Sequence, residues 1–168
     1  MVIRYAFATT SFGKIIVATT QKGVCCILFG KSQGAMVQDL QTRFSQADLE
    51  RDSESLETLL AAVVNDIENP GSRCSFSLDI QGTVFQEKVW RALQEIQPGN
   101  TASYLDVARK IGKPKASRAV AGACAANPLA VVVPCHRVVR STGEVSGYRW
   151  GVNRKKKLLV HESEQSRK

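Results

Sequence analysis

Short apolar runs alternate with polar positions through 4-RYAFATTSFGKIIVATTQKGVCCILFG-30. β-branched and aromatic residues fill these runs, and Ser11-Phe12-Gly13 and Gln21-Lys22-Gly23 interrupt them at hairpin spacing. The pattern predicts three antiparallel strands. Over residues 33–44 the period changes, with Met36, Val37, Leu40 and Phe44 recurring at helical spacing. A second helix is predicted over roughly residues 55–68, with Leu56, Leu59, Leu60, Val63, Val64 and Ile67 on its apolar side. Asn69-Pro70-Gly71-Ser72 stops that helix and reads as a linker. Residues 1–75 are therefore expected to form a small N-terminal antiparallel-sheet-plus-helix unit with no evident chemistry.

Residues 76–168 are expected to form a mostly helical second domain, which makes the fold class α+β. A short strand over residues 76–80 opens it. The stretch 83-TVFQEKVWRALQEI-96 then carries a capping box, Thr83 with Gln86, and an apolar face of Phe85, Val89, Trp90 and Leu93. Farther on, Ser103 with Asp106 caps a helix running to about residue 111, Gly112-Lys113-Pro114 turns the chain, and a second helix covers about residues 115–126. Two short helices about a glycine-containing turn form the helix-turn-helix pattern, found in DNA-binding proteins and in others that never touch DNA. Ala116, Ala119, Ala121, Gly122, Ala123, Ala125 and Ala126 make the second helix one that a partner backbone can approach closely, with Arg118 its one long cation. Residues 129–133 read as a short buried strand ending at Pro134. After the turn-rich loop 141-STGEVSGYRWG-151, Asn153 is expected to cap a last helix, 154-RKKKLLVHES-163.

Composition narrows the class. The chain has 168 residues, of which 43% are hydrophobic and 23% charged, a balance that argues against disorder. No apolar run approaches the ~20 residues of a membrane span. The opening MVIRYAFATT lacks a basic stretch followed by an apolar core, so no signal peptide is expected. The expected location is cytoplasmic, at the nucleoid if the source is bacterial. Net charge is +8 and unevenly placed: residues 1–78 hold 7 Lys+Arg against 8 Asp+Glu, and residues 79–168 hold 16 against 7. Such a basic half fits a polyanion partner, most simply nucleic acid, and fits equally a solvated basic surface.

Five cysteines, an odd number with two adjacent, point to reduced thiols. There is no C-x-x-C pair and His136 and His161 are the only histidines, so no metal site is expected. Cys25, Cys26, Cys74 and Cys124 fit inert buried thiols. Cys135 differs, because 131-VVVPCHRVVR-140 sets it after Pro134 and beside His136 and Arg137, with Arg140 near. A structural cysteine, half a metal site and a nucleophile compete here. Neighbouring cations and an imidazole favour the thiolate, the nucleophilic form. Neighbours in a strand point to opposite faces, however, so adjacency alone does not place the imidazole on the thiol. A nucleophile is the favoured reading.

Pro134-Cys135-His136-Arg137-Val138 resembles the active-site signature of the O6-alkylguanine-DNA alkyltransferases. The helix-turn-helix, Asn127, 146-SGYRWG-151 and Glu162 also fall where that family has them, and the similarity covers essentially the whole chain. Within the family, 110-KIGKPKASRAVAGACAAN-127 and 146-SGYRWGVNRK-155 are most similar to the C-terminal alkyltransferase half of Ada-type bacterial proteins. The resemblance implies a ribonuclease-H-like first unit. It makes Cys135 the alkyl acceptor, His136 a base acting through a bridging water, and Glu162 the carboxylate that orients the imidazole. It gives Asn127 the aiming of the thiol and Tyr104 a proton or hydrogen bond to the departing guanine. The target nucleotide must then be flipped out of the duplex. By resemblance the second helix enters the minor groove, with Ala119 at the close approach and Arg118 filling the flipped nucleotide's place. Lys115, Arg137, Arg149 and Lys155 are the expected phosphate contacts. Val138, Ser146, Gly147, Tyr148 and Trp150 are the expected pocket.

The resemblance further implies one reaction per molecule, no cofactor, and a monomer acting on double-stranded DNA that contains O6-alkylguanine. Human-type members carry zinc ligands in the N-terminal half; residues 1–78 contain no histidine, so no zinc is expected. Some members have glycine where this chain has Trp150, so the indole is expected to narrow the pocket against O6-benzyl groups. Three rivals remain. Alkyltransferase-like proteins that flag lesions lack the acceptor cysteine, a helix-turn-helix regulator would use the fold without chemistry, and a thiol hydrolase would need an oxyanion hole that no motif here supplies.

Overall fold

The computed structural model describes residues 1–71 and 74–167. It has a small sheet and several helices, and divides into two compact units. The first comprises Met1–Ile80 with Pro128–Ala130, the second Gln81–Asn127 with Val131–Lys168.

In the first unit the three expected strands are present: β1 (Val2–Thr10), β2 (Gly13–Thr20) and β3 (Gly23–Phe29). They pair antiparallel, with Ala8 opposite Ile15 and Ala18 opposite Cys26. Ile3, Ile15, Ile16, Val17, Ile27 and Leu28 are fully buried, and removing each large side chain from water contributes about 1.5–3 kcal/mol. Helix α1 (Gln33–Arg43) starts where Ser32 Oγ accepts from the Ala35 N–H at 3.1 Å, and it buries Met36 and Leu40. Phe44 caps the helix instead of continuing it. A fourth strand, β4 (Asp48–Arg51), pairs parallel with β1, so the sheet order is β3-β2-β1-β4. Its sequence DLER holds one apolar residue and offers no alternation to detect. Helix α2 (Glu57–Glu68) begins two residues later than expected and buries Val63 and Ile67. Ser72, the last residue of the expected linker, lies outside the described residues.

The predicted strand at residues 76–80 reduces to a single bridge, Leu78 to Val24, and it belongs to the first unit. The edge of β3 leaves peptide groups to be satisfied. The Val24 N–H donates to Ser77 O at 2.9 Å, and the Asp79 N–H donates to Val24 O at 2.8 Å. Residues 128–130 satisfy Ile27 on the same strand in the same way. The boundary therefore falls five residues after the expected one, and one short return segment joins the first unit.

In the second unit, α3 (Val84–Gln94) starts with the expected capping box, Thr83 and Gln86 exchanging hydrogen bonds of 3.1 and 3.0 Å. Val89, Trp90, Ala92 and Leu93 are its buried side, and Phe85 instead sits half-exposed with the Lys113 ammonium over its ring. The two-residue strand β5 (Ala102–Ser103) leads into α4 (Tyr104–Lys110), capped reciprocally by Ser103 and Asp106. After the turn at Gly112, α5 spans Ser117–Ala125, so Lys115 stands in the turn and not on the helix. Trp90 Nε1 donates to Ala123 O at 2.9 Å and ties α5 to α3.

Residues 129–133 are not a strand. Leu129 makes its one bridge, residues 130–132 turn, and Val131 sits at φ 68°. A β-branched residue in the left-handed region costs about 1–3 kcal/mol, held by its surroundings. A 3-10 turn, Cys135–Arg137, follows and leads into β6 (Val138–Val139), which pairs parallel with β5. The last helix, α6 (Val152–Ser166), begins earlier than expected. Its N-cap is Gly151 at φ 104°, a conformation that favours glycine, and Asn153 lies inside the first turn. Among the described residues no helix is long and apolar enough to cross a membrane.

Candidate active site around a buried cysteine

Cys135 opens the 3-10 turn after Pro134 and is 4% exposed. The buried Asn127 side chain holds this segment from below: its Nδ2 donates to Val133 O at 2.8 Å and to Cys135 Sγ at 3.2 Å. One amide therefore fixes both the backbone approaching the cysteine and the sulfur itself. Burial pushes the Cys135 thiol up to about 11, against the Asn127 hydrogen bond and the nearby Lys155 charge, which both lower it. The resting group is a thiol, so any attack by the sulfur needs a proton acceptor.

His136, the next residue in the same turn, is fully buried. Its Nε2 lies 3.0 Å from Glu162 Oε2 on α6. Burial holds the imidazole below its ordinary pKa, so it is neutral at neutral pH. A carboxylate only accepts, which assigns the proton to Nε2 and leaves Nδ1 with its lone pair. Glu162 also takes two hydrogen bonds from Arg137, Nε to Oε1 at 2.9 Å and Nη2 to Oε2 at 2.6 Å, while Arg137 Nη1 donates to Ile96 O at 2.6 Å. Burial alone would raise Glu162, but the hydrogen bonds from Arg137 and His136 prevail and hold it at about 2.

A cavity of about 380 Å³ stands beside the thiol, lined by Tyr104, Ala121, Cys124, Ala125, Cys135, Gly147, Tyr148 and Arg149. This is the size range of small-molecule sites. Tyr104 Oη and Ser146 Oγ are hydrogen-bonded at 2.7 Å, which fixes one rim. Tyr148 packs edge-on against Trp150, ring centroids 5.3 Å apart, and the Arg149 guanidinium lies over the Trp150 ring. Among the described residues no three His, Cys, Asp or Glu side chains gather as a metal-ligating cluster.

A family model described as the DNA-binding domain of 6-O-methylguanine DNA methyltransferase matches residues 84–164. The inducible methylated-DNA–protein-cysteine methyltransferase of Bacillus subtilis is 39% identical over 156 residues, covering 89% of this chain and 84% of that protein. The chain belongs to the methylated-DNA–protein-cysteine methyltransferase family. It is 44% identical over 164 residues to the bifunctional transcriptional activator/DNA repair enzyme Ada of Escherichia coli, covering 98% of this chain and 46% of Ada. The chain thus spans about half the length of the Ada relatives it matches. A crystal structure of Mycobacterium tuberculosis OGT in complex with DNA has 29% identity and a TM-score of 0.74, covering 98% of this chain and 94% of that one.

The methyltransferase resemblance places its expected residues in two groups. Asn127 with Cys135 and His136 with Glu162 form two buried hydrogen-bonded pairs on adjacent residues, and Tyr104, Gly147, Tyr148 and Arg149 share the cavity with the sulfur. Lys115, Arg118, Ala119 and Arg149 are exposed. Several placements correct the sequence reading. Arg137, expected on phosphate, is buried, with its guanidinium committed to Glu162 and Ile96 O. Lys155, also expected on phosphate, is 1% exposed and its Nζ donates to Gly147 O at 3.3 Å. Arg140, expected to favour the thiolate, is exposed and pairs with Glu144. Val138 is fully buried in β6, and neither it nor Ser146 nor Trp150 lines the cavity; the indole packs behind two residues that do, Tyr148 and Arg149. Cys124, read as inert, lines the cavity, as do Ala121 and Ala125. The cation whose charge favours the thiolate is Lys155, 20 positions along the chain, which no local motif signals.

Replacing Asn127 with Ala removes both anchors of the segment. The Val133 carbonyl keeps the Cys135 N–H at 2.8 Å but loses its side-chain donor, at a cost of about 0.5–1.5 kcal/mol, and the sulfur loses its aim. A lowered melting temperature together with slower thiol alkylation by a small reagent is the expected result in thermal and labelling assays.

Proposed function

We propose that the protein repairs double-stranded DNA by direct reversal, moving an alkyl group, methyl in the simplest case, from O6 of guanine to Cys135 Sγ. The observation that carries this reading is the lining of the cavity by Cys135, in a turn whose next residue, His136, is hydrogen-bonded to a buried carboxylate. In the step, the C–S bond forms as the C–O6 bond breaks. The thiol proton passes through a bridging water to His136 Nδ1, and Glu162 stabilises the imidazolium. Tyr104 passes its phenol proton to the departing guanine, which leaves neutral; the phenol regains a proton from solvent as the imidazolium releases its own. The product is a thioether, and no second nucleophile or cofactor is called on, so each molecule acts once.

A duplex base cannot reach a buried sulfur, so the nucleotide is flipped into the cavity, at a cost of a few kcal/mol. Helices α4 and α5 and their turn act as the helix-turn-helix, with α5 in the minor groove. Support comes from the exposed side of α5, where Arg118, Ala119, Gly122 and Ala125 lie, and from the similarity to OGT in complex with DNA. Arg118 fills the place of the flipped nucleotide. The parallel fourth strand beside an antiparallel β3-β2-β1 order supports a ribonuclease-H-like reading of the first unit. The protein acts as a monomer inside the cell, where its DNA substrate is.

Radiolabelled methyl transfer from an O6-methylguanine duplex tests the reading. Label should stop at one equivalent per protein; release of repaired duplex beyond one equivalent, or no protein-bound label, overturns it. Binding should depend strongly on salt. Lys115→Ala and Arg149→Ala should each reduce the slope of log affinity against log salt by about one, read by fluorescence anisotropy. Free O6-benzylguanine should inactivate the protein poorly. Trp150→Gly, which removes the ring behind Tyr148 and lets it retreat, should raise sensitivity about tenfold or more in a dose–inactivation assay, since relief of a clash of ~1.4 kcal/mol suffices.

A further inference from the structure

Cys124 has no part in the alkyl transfer, yet it shares a cavity wall with Cys135. It is the penultimate residue of α5, where helices fray. The chain between the two cysteines contains no helix or strand over residues 126–134, and Asn127, at its start, is bonded to the Cys135 sulfur, so the segment carries both thiols to the same cavity. No other cysteine lies in the second unit; Cys25 and Cys26 are in β3 and Cys74 is in the first unit.

We propose that Cys124 is a resolving thiol, and that hydroperoxides convert Cys124 and Cys135 into a reversible disulfide across the cavity. The reaction needs no DNA and goes beyond alkyl transfer. Cys135 Sγ attacks one peroxide oxygen, the O–O bond breaks, and the leaving oxygen departs with the thiol proton as water or an alcohol, leaving a sulfenic acid. Cys124 Sγ then displaces the hydroxyl group. The S–S bond forms, and water leaves with the Cys124 proton. The two sulfurs together lose two electrons and the peroxide gains them. Electrostatics agree with the proximity: burial first, and then the Cys135 charge, push the Cys124 thiol up to about 12, while Lys155 lowers both thiols. Cys135, with the Asn127 hydrogen bond in addition, is the sulfur that attacks first. The bridge would shield Cys135 from irreversible oxidation while closing the cavity to a base.

Treating the protein with hydrogen peroxide, capping free thiols with iodoacetamide and digesting with trypsin tests the proposal. Cleavage after Arg118 and Arg137 releases residues 119–137, which contain both cysteines and no others. The expected peptide lacks two hydrogens and both caps, and dithiothreitol returns it to two free thiols. In Cys124→Ser, Cys135 should instead carry two or three oxygens, with at least about tenfold less thiol recovered by dithiothreitol than in the parent. A parent peptide with Cys124 capped and Cys135 over-oxidised, or equal recovery in the two proteins, overturns the proposal. Peptide mass is read without DNA, so this outcome is separate from that of the repair reading.

Discussion

Cys135→Ser leaves duplex binding in place and abolishes alkyl uptake, lowering it by more than about a thousandfold. The substitution keeps a small side chain in the same buried slot. Asn127 Nδ2, now 3.2 Å from sulfur, keeps an acceptor in the hydroxyl oxygen, and its second bond to Val133 O is untouched. Folding should therefore change little. The chemistry changes completely, because an alcohol is a far poorer nucleophile than a thiol that can lose its proton to a neighbouring imidazole. Single-turnover transfer of label checks this beside an anisotropy measurement on the same duplex. Retained transfer would move the acceptor away from Cys135, and lost binding would mean that the cysteine supports the fold.

Glu162→Ala should be the most damaging substitution for stability. Glu162 is 2% exposed and is the common partner of His136 and Arg137. Its removal leaves a buried guanidinium with only the Ile96 carbonyl, at a cost of about 3–5 kcal/mol. For a chain of this length that lowers the melting temperature on the order of 10 °C. Glu162→Gln keeps the shape but loses the charge that stabilises the imidazolium, and should slow transfer about a hundredfold. Acid should act on the same group. Its folded pKa, about 2, is depressed below the ordinary carboxylate value of ~4.3, so its contribution is full above that value and is lost as pH falls toward 2. Melting curves between neutral pH and pH ~3 should show a drop in the parent that is smaller in Glu162→Gln. Equal acid dependence in both proteins would contradict the assignment.

The parts of the fold legible in the sequence are those with local causes. The capping boxes at Thr83 and Ser103 join residues three apart, and both are present. The hairpins of β1–β3 follow from short turns between β-rich runs. Elements that depend on distant partners were hidden: β4 exists because β1 offers it an edge, and residues 77–79 pair because β3 does. Val131 to Val133 read as a strand because a valine run before a proline has strand composition, yet Asn127 and Val131 φ make it a turn. The site divides in the same way. Cys135 and His136 stand out in the sequence, and family resemblance supplied Glu162. Arg137 and Lys155 were assigned to phosphate because a charge without a visible partner reads as surface. Their partners are 25 positions along the chain for Arg137 and 8 positions back for Lys155. Cys124 looked inert because its setting is an alanine-rich helix, and only the cavity reveals which face it occupies.

The most direct measurement is the intact mass of the protein after incubation with excess O6-methylguanine duplex, followed by peptide mapping. One added methyl group per molecule, located on Cys135 and unchanged by longer incubation, is the predicted result. No mass change, or a methyl group on any other residue, would contradict the assignment of Cys135 as the alkyl acceptor.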